Sequence, residues 1–164
     1  MPLEIRGAAE GDLPALLALY AHLHPEPPPE PGRAEQAWRA ILSDPNHHVL
    51  LGLEAGRAVS SCVLLVVPNL TRNARPYALI ENVVTHPDFR GGGRATELLR
   101  RAAALAEEAG CYKVMLLTGR DDEATLRFYR SAGFRSGDKT AFIRWLQPYE
   151  TQRPIPPQAA HLLI

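Results

Sequence analysis

Between Thr85 and Ala102 the chain reads THPDFRGGGRATELLRRA, with three consecutive glycines between Arg90 and Arg94. An apolar run precedes the glycines, and a helical stripe follows them at Ala95, Leu98, Ala102, Leu105 and Ala109. Glycine loses more backbone freedom on folding than any other residue, so three in a row must serve a turn or a close approach. The unit reads as strand, tight turn, helix. At such a junction the first helical N–H groups lack intrahelical partners, and the helix dipole adds partial positive charge. A phosphate suits that place. Arg90 and Arg94 flank the turn and offer charge-assisted bonds. A plain turn that binds nothing is the alternative.

Two common phosphate loops do not fit. A Walker loop ends in Gly-Lys-Ser/Thr, whereas Gly93 is followed by Arg94 and Ala95. A dinucleotide fingerprint needs a third glycine where Thr96 stands. The turn also lies late in the chain, after three strands of antiparallel character.

The rest of the chain interleaves strands and helices. Residues 3–8 alternate as a short strand, and Asp12 is placed to cap a helix carrying Leu13, Leu16, Leu17, Tyr20 and Leu23. HPEPPPEPG, residues 24–32, is a stiff connector, because proline fixes φ and removes donors. A second helix is expected over 33–42, then strands over 48–54 and 57–67 joined at Ala55-Gly56. Residues 68–76 form a polar loop with Arg72 and Arg75, and 77–85 a third long strand broken only by Glu81 and Asn82. A helix over 94–109, a strand over 112–117, a helix over 123–132 capped by Asp121 or Asp122, and one or two closing strands over 134–146 complete the pattern. The expected fold is α/β (α+β), a mixed, mostly antiparallel sheet of six to seven strands flanked by about four helices. Residues 1–146 form one domain, and 147–164 a proline-punctuated tail expected to pack on a homodimer partner.

Composition excludes several classes. The 164 residues carry 18 basic and 18 acidic side chains, so no global field marks a nucleic-acid binder. Cys62 and Cys111 each lie in apolar surroundings and read as reduced thiols of a cytoplasmic protein. No apolar run approaches the ~20 residues of a membrane span, and the first residues lack the cationic start and apolar stretch of a signal peptide. No His/Cys/Asp spacing resembles a metal site.

The segment VVTHPDFRGGGRATELLRRA resembles the acetyl-CoA-binding segment of the GNAT (Gcn5-related) N-acetyltransferase superfamily, whose Arg/Gln-x-x-Gly-x-Gly/Ala pattern falls on Arg90, Gly93 and Ala95. A second block agrees: GCYKVMLL, then LRFYRSAGF with Phe128-Tyr129 and Gly133-Phe134. The resemblance covers residues 3–146 in element order. It implies acetyl-CoA as co-substrate, no metal, and transfer of the acetyl group directly to a primary amine of a small molecule. It further implies that Val83, Val84 and Thr85 pair with the pantetheine arm, and that the amides of Arg90, Gly91, Gly92, Gly93, Arg94, Ala95 and Thr96 hold the pyrophosphate. Tyr129 would act as general acid toward the leaving thiolate; the alternative is a core aromatic.

Glu81 stands in an apolar strand, where a partly desolvated carboxylate would suit proton removal from an amine or binding of its ammonium form. The alternative is a surface glutamate. His22, His24 and His86 are weaker bases, and His86 beside Pro87 shapes the turn. IENVV, GCYKVMLL and RFYRSAGF resemble the glucosamine-6-phosphate N-acetyltransferases within the superfamily, with Asn82 in place of an acidic residue beside the sugar site and a longer connection from 117 to 129. Arg72 and Arg75 are candidates for an acidic or phosphorylated acceptor such as an amino sugar phosphate, or else ordinary loop arginines. A non-catalytic CoA-binding module, acetylation of a protein amine and a purely structural role are the alternatives.

Overall fold

The computed structural model describes residues 3–24 and 26–146. Strands β1 (Glu4–Gly7), β2 (His47–Glu54), β3 (Arg57–Val67), β4 (Tyr77–Thr85) and β5 (Val114–Leu116) form one sheet in the order β1-β2-β3-β4-β5. The first four run antiparallel as a meander, and β5 lies parallel to β4. A parallel pair needs a crossover, supplied here by α4 (Arg94–Glu108).

Period-two alternation divides the strand side chains between two cores. On one face Leu50, Cys62, Leu64, Ala78 and Ile80 meet Leu98, Leu99, Ala102 and Ala106 of α4. On the other, Val49, Leu51, Leu53 and Val63 meet Leu16 of α1 (Leu13–Tyr20) and Trp38 of α2 (Pro31–Ser43). The Trp38 indole N–H donates to the Glu10 carbonyl at 3.0 Å, which satisfies its one polar atom. The sheet is therefore covered on both sides. α5 (Glu123–Ser131) joins the α4 side, with Phe128 and Tyr129 packed against that core.

α2 begins at Pro31, two residues before the expected start, because proline fits the first helical turn without losing a needed bond. Asp12 stands at the cap position of α1, yet its carboxylate takes the Ala9 N–H at 2.7 Å and the Arg6 guanidinium instead of an α1 amide. α3 (Thr71–Ala74) is a single turn in which Arg72, Asn73 and Ala74 all have positive φ.

The sheet has five strands among the described residues, not six to seven. The difference lies in 134–146, where no strand forms. The stretch does not alternate: six residues from Arg135 to Thr140 are polar or glycine, and Ala141, Phe142 and Ile143 are consecutive apolar residues. Here Phe142 and Leu146 remain 92% and 85% exposed. The tail over 147–164, with its expected dimer packing, lies outside the described residues.

Candidate active site

The β3–β4 ladder slips at one point. Val63 faces Glu81 and Ser61 faces Val84, so β4 carries one extra residue there. Such a β-bulge bends its strand and re-aims side chains. Asn82 takes it up with φ 51°, a left-handed conformation that asparagine tolerates better than most residues. The bulge turns Glu81 and Asn82 outward, so both are exposed although the strand around them is apolar. The desolvated Glu81 carboxylate expected from the sequence is thus corrected to a solvated one, because a bulge is not encoded in hydropathy. Tyr20 packs on the other core, and burial pushes its pKa up to about 12. Ser61 Oγ is buried without a hydrogen-bond partner.

β5 pairs with β4 only from Ala78 to Ile80. Beyond Ile80 the outer backbone edge of β4 has no strand beside it, and a cleft of about 1220 Å³ opens there. Glu81, Asn82, Val83, Val84 and Thr85 form one wall, and Leu117, Thr118, Arg120, Thr125, Phe128 and Tyr129 the other. An unpaired strand edge presents N–H and C=O groups to any extended polar chain laid along it.

The glycine turn closes one end. Gly93 caps α4 at φ 79°, and no side chain bonds to the first amides of the helix. Those amides are left for a ligand. Gly91 also needs its positive φ of 80°, whereas Gly92 is needed for space, since a Cβ there would collide with Arg94 Nη1. Arg94 itself is committed to the protein: Nε pairs with Glu54 and Nη1 donates to the Phe89 carbonyl at 2.8 Å. Hydrogen bonding from Arg94 holds the Glu54 carboxyl below its usual range. Arg90 lines the cleft and donates from Nε to the Thr85 carbonyl at 3.2 Å. His86 organises the turn after β4, taking the Asp88 N–H on Nδ1 and lying against the His22 ring at 4.7 Å. His22 and His24 reach the cleft.

Tyr129 faces this space from α5, its ring fixed by Phe128 and Phe134 at centroid distances of 4.8 and 6.4 Å. Burial raises its pKa, while Arg120 opposes the rise and Glu81 adds to it. Asp122 positions the helix by taking the Thr125 N–H at 3.0 Å and its hydroxyl at 2.9 Å, and also pairs with Arg120. Those Thr125 bonds bring the Asp122 pKa down to about 2.

Arg72 and Arg75 are not brought to the cleft. Arg75 donates to the carbonyls of Gly110 and Cys111 at 3.2 and 3.3 Å, and Arg72 lies over the Tyr112 ring at 5.9 Å. A second cavity of about 660 Å³ lies instead between α1, α2, the proline connector and the sheet, and Asn82 lines both spaces. Three participants escaped sequence reasoning: Glu54, Tyr20 and Arg120. Glu54 ends β2 at an ordinary hairpin, and Tyr20 continues an apolar stripe, so neither carries a local signal. Among the described residues no group of three or more His, Cys, Asp or Glu could hold a metal ion.

Comparison with known proteins gives the family. The glucosamine 6-phosphate N-acetyltransferase of Trypanosoma brucei brucei is 34% identical over 142 residues, covering 84% of this chain and 92% of its own. A rice glucosamine 6-phosphate N-acetyltransferase is 30% identical over 145 residues, covering 81% and 78%. A solved chain from Agrobacterium tumefaciens C58 superposes at TM-score 0.82 with 45% identity, over 87% of this chain and 99% of that one. Residues 13–134 match the acetyltransferase (GNAT) family, so the chain belongs to it and is an acetyl-CoA-dependent N-acetyltransferase.

Proposed function

We propose that the protein acetylates the primary amine of a small molecule, with Tyr129 as proton donor and Glu81 as the group that receives the amine. The observation that carries this reading is the open β4 edge at Glu81–Thr85, set opposite Tyr129 and ended by uncapped amides of α4. The cradle fits a pyrophosphate: positive φ and open space at Gly91 and Gly93 keep the backbone accessible. Acetyl-CoA supplies the activated thioester.

The chain's own contribution is placement and proton handling. The backbone of Val83, Val84 and Thr85 orients the donor along the edge, and the amides of Arg94, Ala95 and Thr96, with Arg90, hold its phosphates. Glu81, exposed on the bulge, attracts an ammonium group and takes its proton directly or through water. The Tyr129 hydroxyl donates toward negative charge developing on the departing sulfur. A phenol at ~10 is a weaker acid than a thiol at ~8.5, so hydrogen bonding in the transition state is its main effect.

Glucosamine 6-phosphate, the sugar named in the relatives, is the reference acceptor. An acetyl-transfer screen over amino sugars, amino acids, polyamines and simple amines tests the reading, comparing the wild type with Glu81→Gln. Transfer to at least one amine, reduced by Glu81→Gln at unchanged acetyl-CoA KM, is expected. No transfer to any amine refutes it.

A further inference from the structure

Arg120 is fixed in the cleft by one nitrogen and keeps two others for a ligand. It follows β5 on the wall opposite Glu81, in the lining that also carries Tyr129. Its backbone N–H donates to Thr118 Oγ1 at 3.1 Å, and its Nε donates to Asp122 Oδ2 at 2.9 Å. Asp122 is held in turn at the start of α5 by the Thr125 N–H and hydroxyl. The guanidinium is thus oriented by a short chain of bonds that ends in a helix. No further bond to a described residue engages Nη1 or Nη2. The side chain is 68% exposed.

From this we infer that Arg120 determines acceptor specificity, receiving a phosphate or carboxylate of the acceptor while Glu81 receives its amine. The inference rests on the proposed acetyl transfer and deepens it. The paired N–H groups at the end of a guanidinium match two oxygens of one phosphate or carboxylate, and such charge-assisted pairs are strong. Placement favours the acceptor over the donor. The glycine turn has its own arginine in Arg90 and its own uncapped amides in α4. Arg120 instead acts, as Glu81 does in the opposite sense, on the Tyr129 hydroxyl. Exposure favours recognition over a part in the chemistry. Water screens a solvated cation from charge at a distance, whereas an oxyanion that bonds it directly displaces that water. Asp122 offsets part of the charge, so the fork selects by geometry. The loop arginines suggested by the sequence are turned elsewhere, Arg75 onto two carbonyls and Arg72 onto Tyr112.

The test measures kcat and KM for two matched pairs of acceptors at saturating acetyl-CoA. Glucosamine 6-phosphate against glucosamine reports on a phosphate, and 4-aminobutyrate against butylamine on a carboxylate. The wild type is expected to prefer the anionic member of at least one pair. Arg120→Gln is expected to raise the KM for that member by about tenfold or more, the scale of a hydrogen bond to a charged group. The neutral member and the acetyl-CoA KM should not change. Arg120→Lys should recover only part of the loss, because an ammonium lacks the fork. A wild type that favours the neutral member of both pairs overturns the inference while leaving acetyl transfer intact. So does an Arg120→Gln variant with unaltered kinetics, with equal losses for both members, or with a raised acetyl-CoA KM. Binding of acetyl-CoA, seen as a thermal shift, with transfer to no amine overturns both.

Discussion

The guanidinium of Arg94 occupies the space that a side chain at Gly92 would need. Because that guanidinium is tied to Glu54 and to the Phe89 carbonyl, it cannot move aside without breaking a charge-assisted bond. Gly92→Ala is expected to raise the acetyl-CoA KM by roughly tenfold, the scale of one such bond. The Gly92→Ala/Arg94→Ala double variant should be no worse than Arg94→Ala alone, since both damage one contact. Additive losses in steady-state kinetics would refute the coupling.

Tyr129→Phe keeps the ring that packs on Phe128 and Phe134 and removes only the hydroxyl. A fall in kcat of about a hundredfold is expected, the lower range for a lost proton donor, with little change in acetyl-CoA KM. Burial has raised the hydroxyl's pKa, so activity should not decline with rising pH near neutrality on its account. A pH–rate profile of both forms checks this.

Acid should weaken the N-terminal cap of α5. The Asp122 carboxyl titrates near 2 in the folded chain against a reference of 3.8. A depressed acid stabilises the fold above its unfolded pKa and loses that contribution as pH falls toward the folded value. Asp122→Asn keeps a cap but does not titrate. The melting temperatures of wild type and Asp122→Asn should therefore converge as pH falls from 4 toward 2. A gap independent of pH would assign the cap no ionic share.

Leu98 is fully buried between α4 and the sheet. Leu98→Ala is expected to cost about 3 kcal/mol by denaturant unfolding, as large-to-small core changes do. Its acetyl-CoA KM should rise as well, because the same helix presents the phosphate-facing amides.

The elements that could be read from the sequence are those whose signal is local. β2, β3 and β4 are long apolar runs, the glycine turn marks where α4 begins, and the α4 stripe was legible at Leu98 and Ala102, although Leu99 and Ala106 are buried beside them in place of the expected Ala109. What escaped depends on distant partners. The bulge at Asn82 follows from how β4 sits against Ser61 and Val63, and no neighbour of Asn82 in sequence encodes it. Arg72 and Arg75 look like free loop cations until the carbonyls of Gly110 and Cys111 and the ring of Tyr112 arrive from thirty-odd residues away. Glu54 becomes part of the turn only because the β2–β3 hairpin folds beside α4.

The single cleft shared by Glu81, Tyr129 and the glycine turn bears on kinetic order. On the proposed reading donor and acceptor sit in it together. Cys62, the buried thiol beneath the bulge, is pushed up to about 12 by burial and is no reservoir for an acyl group. Double-reciprocal plots at several acceptor concentrations should then intersect. Parallel lines would mean that the acetyl group rests on the protein along the way.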